Sequence, residues 1–479
     1  MASTSFLQVL IALICLVLLC ERSCLASRQS SPQSITEKQG IGECDLQRVN
    51  PLEPAHRIQH EAGYSEIWDP TSRELQCAGI DATRHVIENR GLFVPSYNNA
   101  PMLIIVVQGH GILGAVFPGC PETFQSFHPT EKEGGDSRGP DQTFRDQHQK
   151  VHFIRQGDVI ALPAGIVHWA YNEATEKLVL LVIHDLSNRE NQLDQNLRRY
   201  FLGGNQKGDE ETWAVGSKNL LWNNVFQPLD PQFLGRASGV NSEIIKKLQS
   251  ENDFRGYMVR VRDGLRLVRP SSEEPRPPRP LLDNGYEETL CTVRIKENLL
   301  NPERADIYTS RGGTVSTLNS YNLPILRKLQ LSANREYLYP NAMIVPEWNN
   351  NAHSISYVTR GSGRLQVGGS SKSTVYDGDV RQGQLFIIPQ NYVYLKQAGP
   401  QGLELYTVKT NDRAKATALV GRTSVIRAVP LDVWINVFQL TQDEARSLKY
   451  NREEITVLDP ELPKPQPEGG GYYPWSIVA

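Results

Sequence analysis

One histidine of the chain lies in a setting that could support metal chemistry. His168 follows Gly157, Pro163 and Gly165, and Asn172 comes four residues after it. Glycine and proline at such intervals are typical of tight turns around a short strand, which would fix the direction of the imidazole. Imidazole is a ligand of divalent iron and manganese, but a single one does not hold the ion without further histidine or carboxylate ligands.

The segment around His168 resembles the second motif of the cupin superfamily, G-x5-P-x-G-x2-H-x3-N, at every defined position. Metal-dependent cupins take two more histidines and one glutamate from a first motif. In the first half of this chain, the His-x-His region falls on Tyr97, Asn98 and Asn99, and the glutamate position on Met102. Only His168 of the four expected ligands is present in this half.

The second half of the chain lacks the ligands altogether. Its corresponding positions carry Trp348, Asn349, Asn350 and Asn351, then Ser354, and Tyr394 replaces the second-motif histidine. The resemblance therefore implies no metal, no catalytic residues and no cofactor, with His168 as a core histidine. A metal-dependent bicupin enzyme of the oxalate-degrading type and a sugar-binding bicupin are the alternatives.

The chain repeats itself in three ordered places, which indicates a duplicated domain. Short β-branched and aromatic runs broken by Gly, Pro and Asn predict strands, and helical spacing follows each half, with a Thr-x-x-Glu capping box at Thr441. The sequence thus predicts a mainly β fold of two tandem cupin (jelly-roll) β-barrels, each followed by a small helical extension. The repeated segments are Phe93–Ala100 with Ile344–Asn350, Gly157–Pro163 with Gly383–Pro389, and Asn224–Phe226 with Asn436–Phe438.

The amino-terminal residues predict a signal peptide. An apolar run from Phe6 to Cys20 is followed by small residues, so we expect cleavage between Ala26 and Ser27. A membrane anchor is the rival interpretation, but the run is shorter than the roughly 20 residues of a spanning helix. The net charge of −3 gives no basic field for nucleic acid.

Composition shifts divide the chain into five parts. Polar, Gly- and Gln-rich residues predict a mobile loop, and a Pro-rich stretch predicts the linker. The predicted parts are a signal peptide at 1–26, a first cupin domain at 27–269 with the mobile loop at 121–149, a linker at 270–284, a second cupin domain at 285–462, and a flexible tail at 463–479.

Four cysteines remain after the predicted leader: Cys44, Cys77, Cys120 and Cys291. An even number of widely spaced cysteines in a secreted chain suggests two disulfides. Spacing alone leaves all three pairings open.

The segment from Asn284 to Cys291, NGYEETLC, resembles the processing junction of legumin-type (11S) seed storage globulins. The resemblance implies that an asparaginyl endopeptidase cuts between Asn284 and Gly285. It also implies disulfides Cys44–Cys77, within the acidic chain, and Cys120–Cys291, between the two products. The products would be an acidic chain with 28 basic and 33 acidic residues and a basic chain with 21 and 19.

The resemblance implies a nutrient reservoir that has no enzymatic activity. It implies trimers and then hexamers of like subunits, transport through the secretory pathway to the protein storage vacuole of seed, and possible IgE binding as an allergen. The 34 Arg, 29 Gln and 28 Asn residues, which carry extra nitrogen, agree with that role. We expect neither nucleic acid nor membrane as a partner.

Overall fold

A computed structural model gives the fold of this chain. It describes residues 44–118, 123–126, 145–148, 151–205, 214–215, 218–219, 221–250, 252–265, 267, 293–370 and 373–460. Outside these ranges lie the predicted leader, the predicted linker, most of loop 121–149 and the predicted tail. Four predicted site residues beside or between these segments, Ser27, Gly285, Cys120 and Cys291, and the segment ends Ala26 and Asn284, also lie outside the described residues.

The first half supplies six strands of one seven-stranded sheet, all seven strands of a second sheet, and two small hairpins. The strands are β1 His56–His60, β2 Gly63–Ile67, β3 Ile80–Ile87, β4 Gly91–Asn98, β5 Met102–Gln108, β6 His110–Val116, β7 Thr123–Ser126, β8 Arg145–His148, β9 Val151–Arg155, β10 Asp158–Leu162, β11 Val167–Tyr171, β12 Leu178–Asp185, β13 Arg198–Phe201, β14 Ala214–Val215, β15 Lys218–Asn219, β16 Leu221–Asn224 and β17 Met258–Arg260.

The two sheets of the first half face each other as a barrel. One has the order β1-β2-β3-β12-β5-β10, and the other has β16-β13-β4-β11-β6-β9, with β17 also on β4. The central strands β5 and β12 are almost continuous apolar runs, because one face lines the barrel and the other packs against the second half.

The second half forms one ten-stranded sheet that curls into a second barrel. Its long strands β23 and β26 pair along most of their lengths. The strands of this half are β18 Lys296–Asn298, β19 Ile307–Thr309, β20 Gly313–Leu318, β21 Ser332–Leu338, β22 Met343–Asn349, β23 Ser354–Gly368, β24 Thr374–Arg381, β25 Leu385–Ile388, β26 Val393–Lys409, β27 Ala416–Ala418 and β28 Val457–Leu458.

Gly109 and Gly361 bend equivalent strands of the two barrels. Their φ angles are 82° and 79°, in the left-handed region that glycine adopts readily. A Cβ on Gly361 would lie 2.1 Å from the backbone oxygen of Gly402, so no other residue fits there without a shift. The bend separates β5 from β6 in the first barrel and is a register shift within β23 in the second.

Short helices follow each barrel, where side-chain caps begin several of them. Asp230, Asn241 and Thr441 accept the amide hydrogens of Phe233, Ile244 and Glu444. Within the described ranges, every helix is too short or too polar to cross a bilayer. The helices are α1 Arg73–Ala78, α2 Pro231–Ser238, α3 Ser242–Gln249, α4 Leu326–Leu329, α5 Val425–Ala428, α6 Leu431–Phe438 and α7 Gln442–Tyr450, with a 3-10 turn, η1, at Pro302–Arg304.

The two halves exchange segments. Strand β18 adds to the first sheet beside β10, with Val159 opposite Glu297. In return, the residues before β1 lie on the second barrel, where Leu52 bridges Leu385 and Val49 is buried in that core. The architecture is mainly β, with two tandem barrels that each carry a helical extension, which confirms the predicted fold class.

Candidate functional site

His168 lies inside the first barrel but makes no metal-like arrangement. It is on β11, opposite Ser96 of β4, and is 8% exposed. Its Nδ1 is 3.1 Å from the Ile166 carbonyl oxygen, so Nδ1 donates and carries the proton. Burial lowers the pKa of His168 to about 4, which keeps the ring neutral near pH 7.

Two further histidines share this interior, and sequence reasoning missed both. His85 comes from β3 and His184 from β12. Burial, with the nearby Arg199 cation, lowers the pKa of both rings well below the ordinary value. His184 lies within the apolar run of β12, and a lone imidazole in such a strand was the signal available in the sequence.

In the first barrel, residues at the positions that the cupin motif assigns to metal ligands make hydrogen bonds within the protein. The Asn98 amide nitrogen is 3.2 Å from His184 Nε2 and 3.6 Å from the sulfur of Met102. Asn99 is half-buried and donates to the Asn191 side chain and the Asn196 carbonyl oxygen. The structure thus brings His168, Asn98 and Met102 to one cavity.

Ligand atoms do not converge in this cavity. Among the described residues, the group of three His, Cys, Asp or Glu side chains whose ligand atoms lie within 4.8 Å of one another is Cys44, Cys77 and His353. Two members of that group, Cys44 and Cys77, are joined as a disulfide with Cα atoms 4.7 Å apart, so their sulfurs are not thiolate ligands.

A buried ion pair occupies one end of the first interior. Arg199 of β13 donates through Nη2 to Asp81 at 3.0 Å and also to the Thr83 hydroxyl. Its guanidinium lies 4.9 Å from the ring centre of Trp222. Burial raises the pKa of Asp81, and the attached Arg199 opposes that shift.

The second barrel holds a denser polar network. Lys396 Nζ is 2.5 Å from Glu336, and the Tyr394 hydroxyl donates to Glu347 at 2.5 Å. Lys409 bonds the Asn349 amide oxygen at 2.9 Å.

Most of these polar groups of the second barrel are buried, and Glu347 is half-buried. The positions that would carry metal ligands, Asn349, Ser354 and Tyr394, are engaged with one another or with these charges. Trp348 and Asn350 point elsewhere: Asn350 bonds Thr417 at the surface.

Strand register explains why one interior is full and the other is not. Ala170 pairs with Phe93 in the first barrel, and Lys396 pairs with Ile344 at the equivalent place in the second. Likewise, Ser96 opposite His168 corresponds to Glu347 opposite Tyr394. Small residues therefore leave a cavity of about 30 Å³ in the first barrel.

The fold and these interiors define a class: a bicupin in which most of the expected metal-ligand positions carry other residues that hydrogen-bond within the protein. The cupin family model matches residues 49–208 and 297–446. Cocosin 1 of Cocos nucifera is 43% identical over 93% of this chain and 96% of its own. An 11S globulin seed storage protein of Anacardium occidentale, Ana o 2.0101, is 42% identical over 91% and 96%.

A solved structure matches more closely in sequence. The 11S globulin from Wrightia tinctoria, described as revealing an auxin binding site, is 90% identical, with a TM-score of 0.79, over 89% of this chain and all of its own. The chain belongs to the legumin-type (11S) seed storage globulins of the cupin superfamily. It is a storage protein and not an enzyme, so the oxalate-degrading alternative is wrong.

Proposed function

We propose that this storage globulin is a nutrient reservoir that assembles through its two helical extensions into trimers and then hexamers. The observation that carries the proposal is the exposure of large apolar side chains on both helix pairs. Phe233 of α2 is 68% exposed and Val437 of α6 is 59% exposed. Apolar faces of this kind usually mark protein interfaces.

The two faces are unlike, which favours a head-to-tail contact that closes a ring. The first pair presents Phe233, Ile244 and Leu248, and the second presents Val437, Phe438 and Leu448. The number of copies, three, comes from the resemblance to the 11S family.

Light scattering after size-exclusion chromatography tests the assembly. Phe233→Asp and Val437→Asp should each give monomers, because either charge would lie in the buried contact. Tyr308→Asp is the matched control, since Tyr308 is 67% exposed but lies on β19. A trimer that survives both helix variants would contradict the proposal.

We propose that the precursor is cut between Asn284 and Gly285. The support is the NGYEETLC junction after a Pro-rich stretch. Asparaginyl endopeptidase should convert the chain into two bands on a reducing gel and one band without reductant, held by Cys120–Cys291. Asn284→Gln should block the cut, and Cys291→Ser should separate the bands without reductant. One uncut band from the wild type would refute the site.

The route to the protein storage vacuole is proposed on the same family support, with the signal peptide removed between Ala26 and Ser27. Amino-terminal sequencing of seed protein and immunogold labelling of seed sections test both. IgE binding is proposed as a side property, to be tested by immunoblot with sera from donors sensitised to 11S globulins.

Auxin binding is a second candidate function. It is favoured by the 90% identity to the Wrightia tinctoria globulin. Equilibrium dialysis with labelled indole-3-acetate should show saturable uptake by the native protein, and linear uptake alone would refute it.

A further inference from the structure

We propose that the interior of the first barrel is a binding site for a short-chain carboxylate, anchored by Arg199. The cavity there has a volume of about 30 Å³ and is lined by Arg199 and three histidines among apolar side chains. The proposal concerns a ligand inside one barrel, so it does not depend on storage, processing or assembly.

The first observation is an unused donor. Arg199 is 5% exposed, and its Nη2 serves Asp81 and Thr83. Its Nη1 is buried and has no hydrogen-bond partner within the described part of the chain. A buried donor without an acceptor is costly, which favours an acceptor in the cavity.

His184 adds a second donor to the same cavity. Because the Asn98 amide nitrogen donates to His184 Nε2, the proton of the neutral ring is on Nδ1. That Nδ1 lies 3.7 Å from Asp81, too far for a hydrogen bond, and is unpartnered among the described residues. Two donors and no matching acceptor suit a carboxylate, which only accepts.

The remaining walls select for a small apolar body. A pocket with mostly apolar walls and a few placed polar groups is the usual form of a small-molecule site. The cavity has a volume of about 30 Å³, which limits a ligand to a short chain such as that of acetate or propionate. The apolar walls are Phe93, Met102, Ile104, Leu113, Leu180 and Val182.

The second barrel shows what closes such a site. Lys396 and Glu347 fill the space that Ala170 and Ser96 leave open. Arg199 has no counterpart there either, since Ala416 holds the equivalent place opposite Asn349. The site is therefore a property of the first barrel alone.

The Arg199–Asp81 pair is already neutral, so binding of the carboxylate anion should be accompanied by uptake of one proton at a titratable side chain beside the cavity. The titratable groups around the cavity are Asp81 and His85 from β3, Tyr97 from β4, His168 from β11 and His184 from β12. Binding should then strengthen as the pH falls from 7 to 5.

Equilibrium dialysis of the native protein with labelled propionate tests the site. We expect one saturable site per chain, and octanoate should fail to compete because it is too long for the cavity. The double variant Arg199→Gln/Asp81→Asn, which removes both charges together, should bind at least tenfold more weakly. The matched control is Arg364→Gln/Asp377→Asn, the same exchange on an exposed pair, and it should bind as the wild type does.

Ala170→Leu keeps Arg199 but fills the cavity, so it should also abolish propionate binding. This variant tests the proposal if the double variant does not fold. A crystal soaked in propionate should show the carboxylate at Arg199. Water only in the cavity, no saturable uptake, equal competition by octanoate, or full binding by Ala170→Leu would each overturn the proposal.

Discussion

Lys396 and Glu336 form an ion pair inside the second barrel, with Nζ 2.5 Å from Oε2 and both side chains at most 5% exposed. Ala170 holds the place of Lys396 in the first barrel, where the interior stays partly open. This difference, together with Ser96 in the place of Glu347, separates a filled barrel from one with a cavity.

Removal of one partner of this pair should destabilise the protein more than removal of both. Lys396→Met leaves Glu336 buried without its cation, which costs about 3–5 kcal/mol. Lys396→Met/Glu336→Leu replaces both charges with apolar groups and should lie near the wild type in urea denaturation. Arg381→Met, which breaks an exposed pair with Glu53, serves as the control and should change little. Equal loss in the single and double variants would show that the pair itself stabilises the fold.

Stability should fall between pH 6.5 and pH 4 because of the buried histidines of the first barrel. Burial lowers the pKa of His60 and His168 to about 4 from an ordinary 6.5. The unfolded chain therefore binds more protons in this window, so the free energy of unfolding decreases as the pH falls, by up to about 3 kcal/mol for each ring.

The variant His168→Gln should flatten that pH dependence. Calorimetric Tm values at pH 7, 5.5 and 4.5 would fall less steeply in the variant than in the wild type. Ser96→Ala alters the same interior without removing a titrating group, and it should keep the wild-type slope. An unchanged slope in His168→Gln would mean that this ring does not titrate as its burial requires.

The sequence predicted the fold class because the repeat and the Gly157 to Asn172 motif are local patterns. Gly109 and Gly361 shape the same bend in both barrels, and each follows one copy of the first repeated segment, Phe93–Ala100 or Ile344–Asn350. The exchange of β18 and of the residues before β1 was not predictable, because pairing between distant segments leaves no local pattern.

The interior chemistry was predicted only where a motif marked it. His168 was found, but His85, His184 and Arg199 reach the cavity from strands that carry no motif, and only the strand register brings them together. In the sequence, Lys396 and Glu336 resemble ordinary surface charges. Their burial depends on the ion pair between them, and the two residues are 60 positions apart, so no local pattern marks it.

Loss of the Cys44–Cys77 disulfide should loosen the segment before β1, residues 44–52, which packs on the second barrel. The bridge closes a separation of 33 residues, for which loop entropy gives a stabilisation of about 3–4 kcal/mol. In Cys44→Ser/Cys77→Ser, hydrogen exchange should accelerate at the Val49 and Leu52 amides, which bond Val375 and Leu385. The amide of Ala161, which bonds Ile295 in the first barrel, is an internal control. Unchanged exchange at Val49 and Leu52 would show that packing alone holds the segment.

Thr441→Ala should weaken assembly by loosening α7, although Thr441 itself lies outside the apolar face. The Thr441 hydroxyl accepts the Glu444 amide hydrogen, and the Glu444 carboxylate accepts the Thr441 amide hydrogen at 2.8 Å. Loss of a Ser or Thr cap costs about 1 kcal/mol, and α7 is short enough to fray when its first turn is unsatisfied.

Leu448 is on this helix, so a frayed α7 presents the contact face less often. Dissociation of the assembled protein on dilution should therefore begin at a higher concentration in Thr441→Ala, while Thr441→Ser, which keeps the hydroxyl, should match the wild type. Equal dissociation of Thr441→Ala and Thr441→Ser would show that the helix cap does not contribute to assembly.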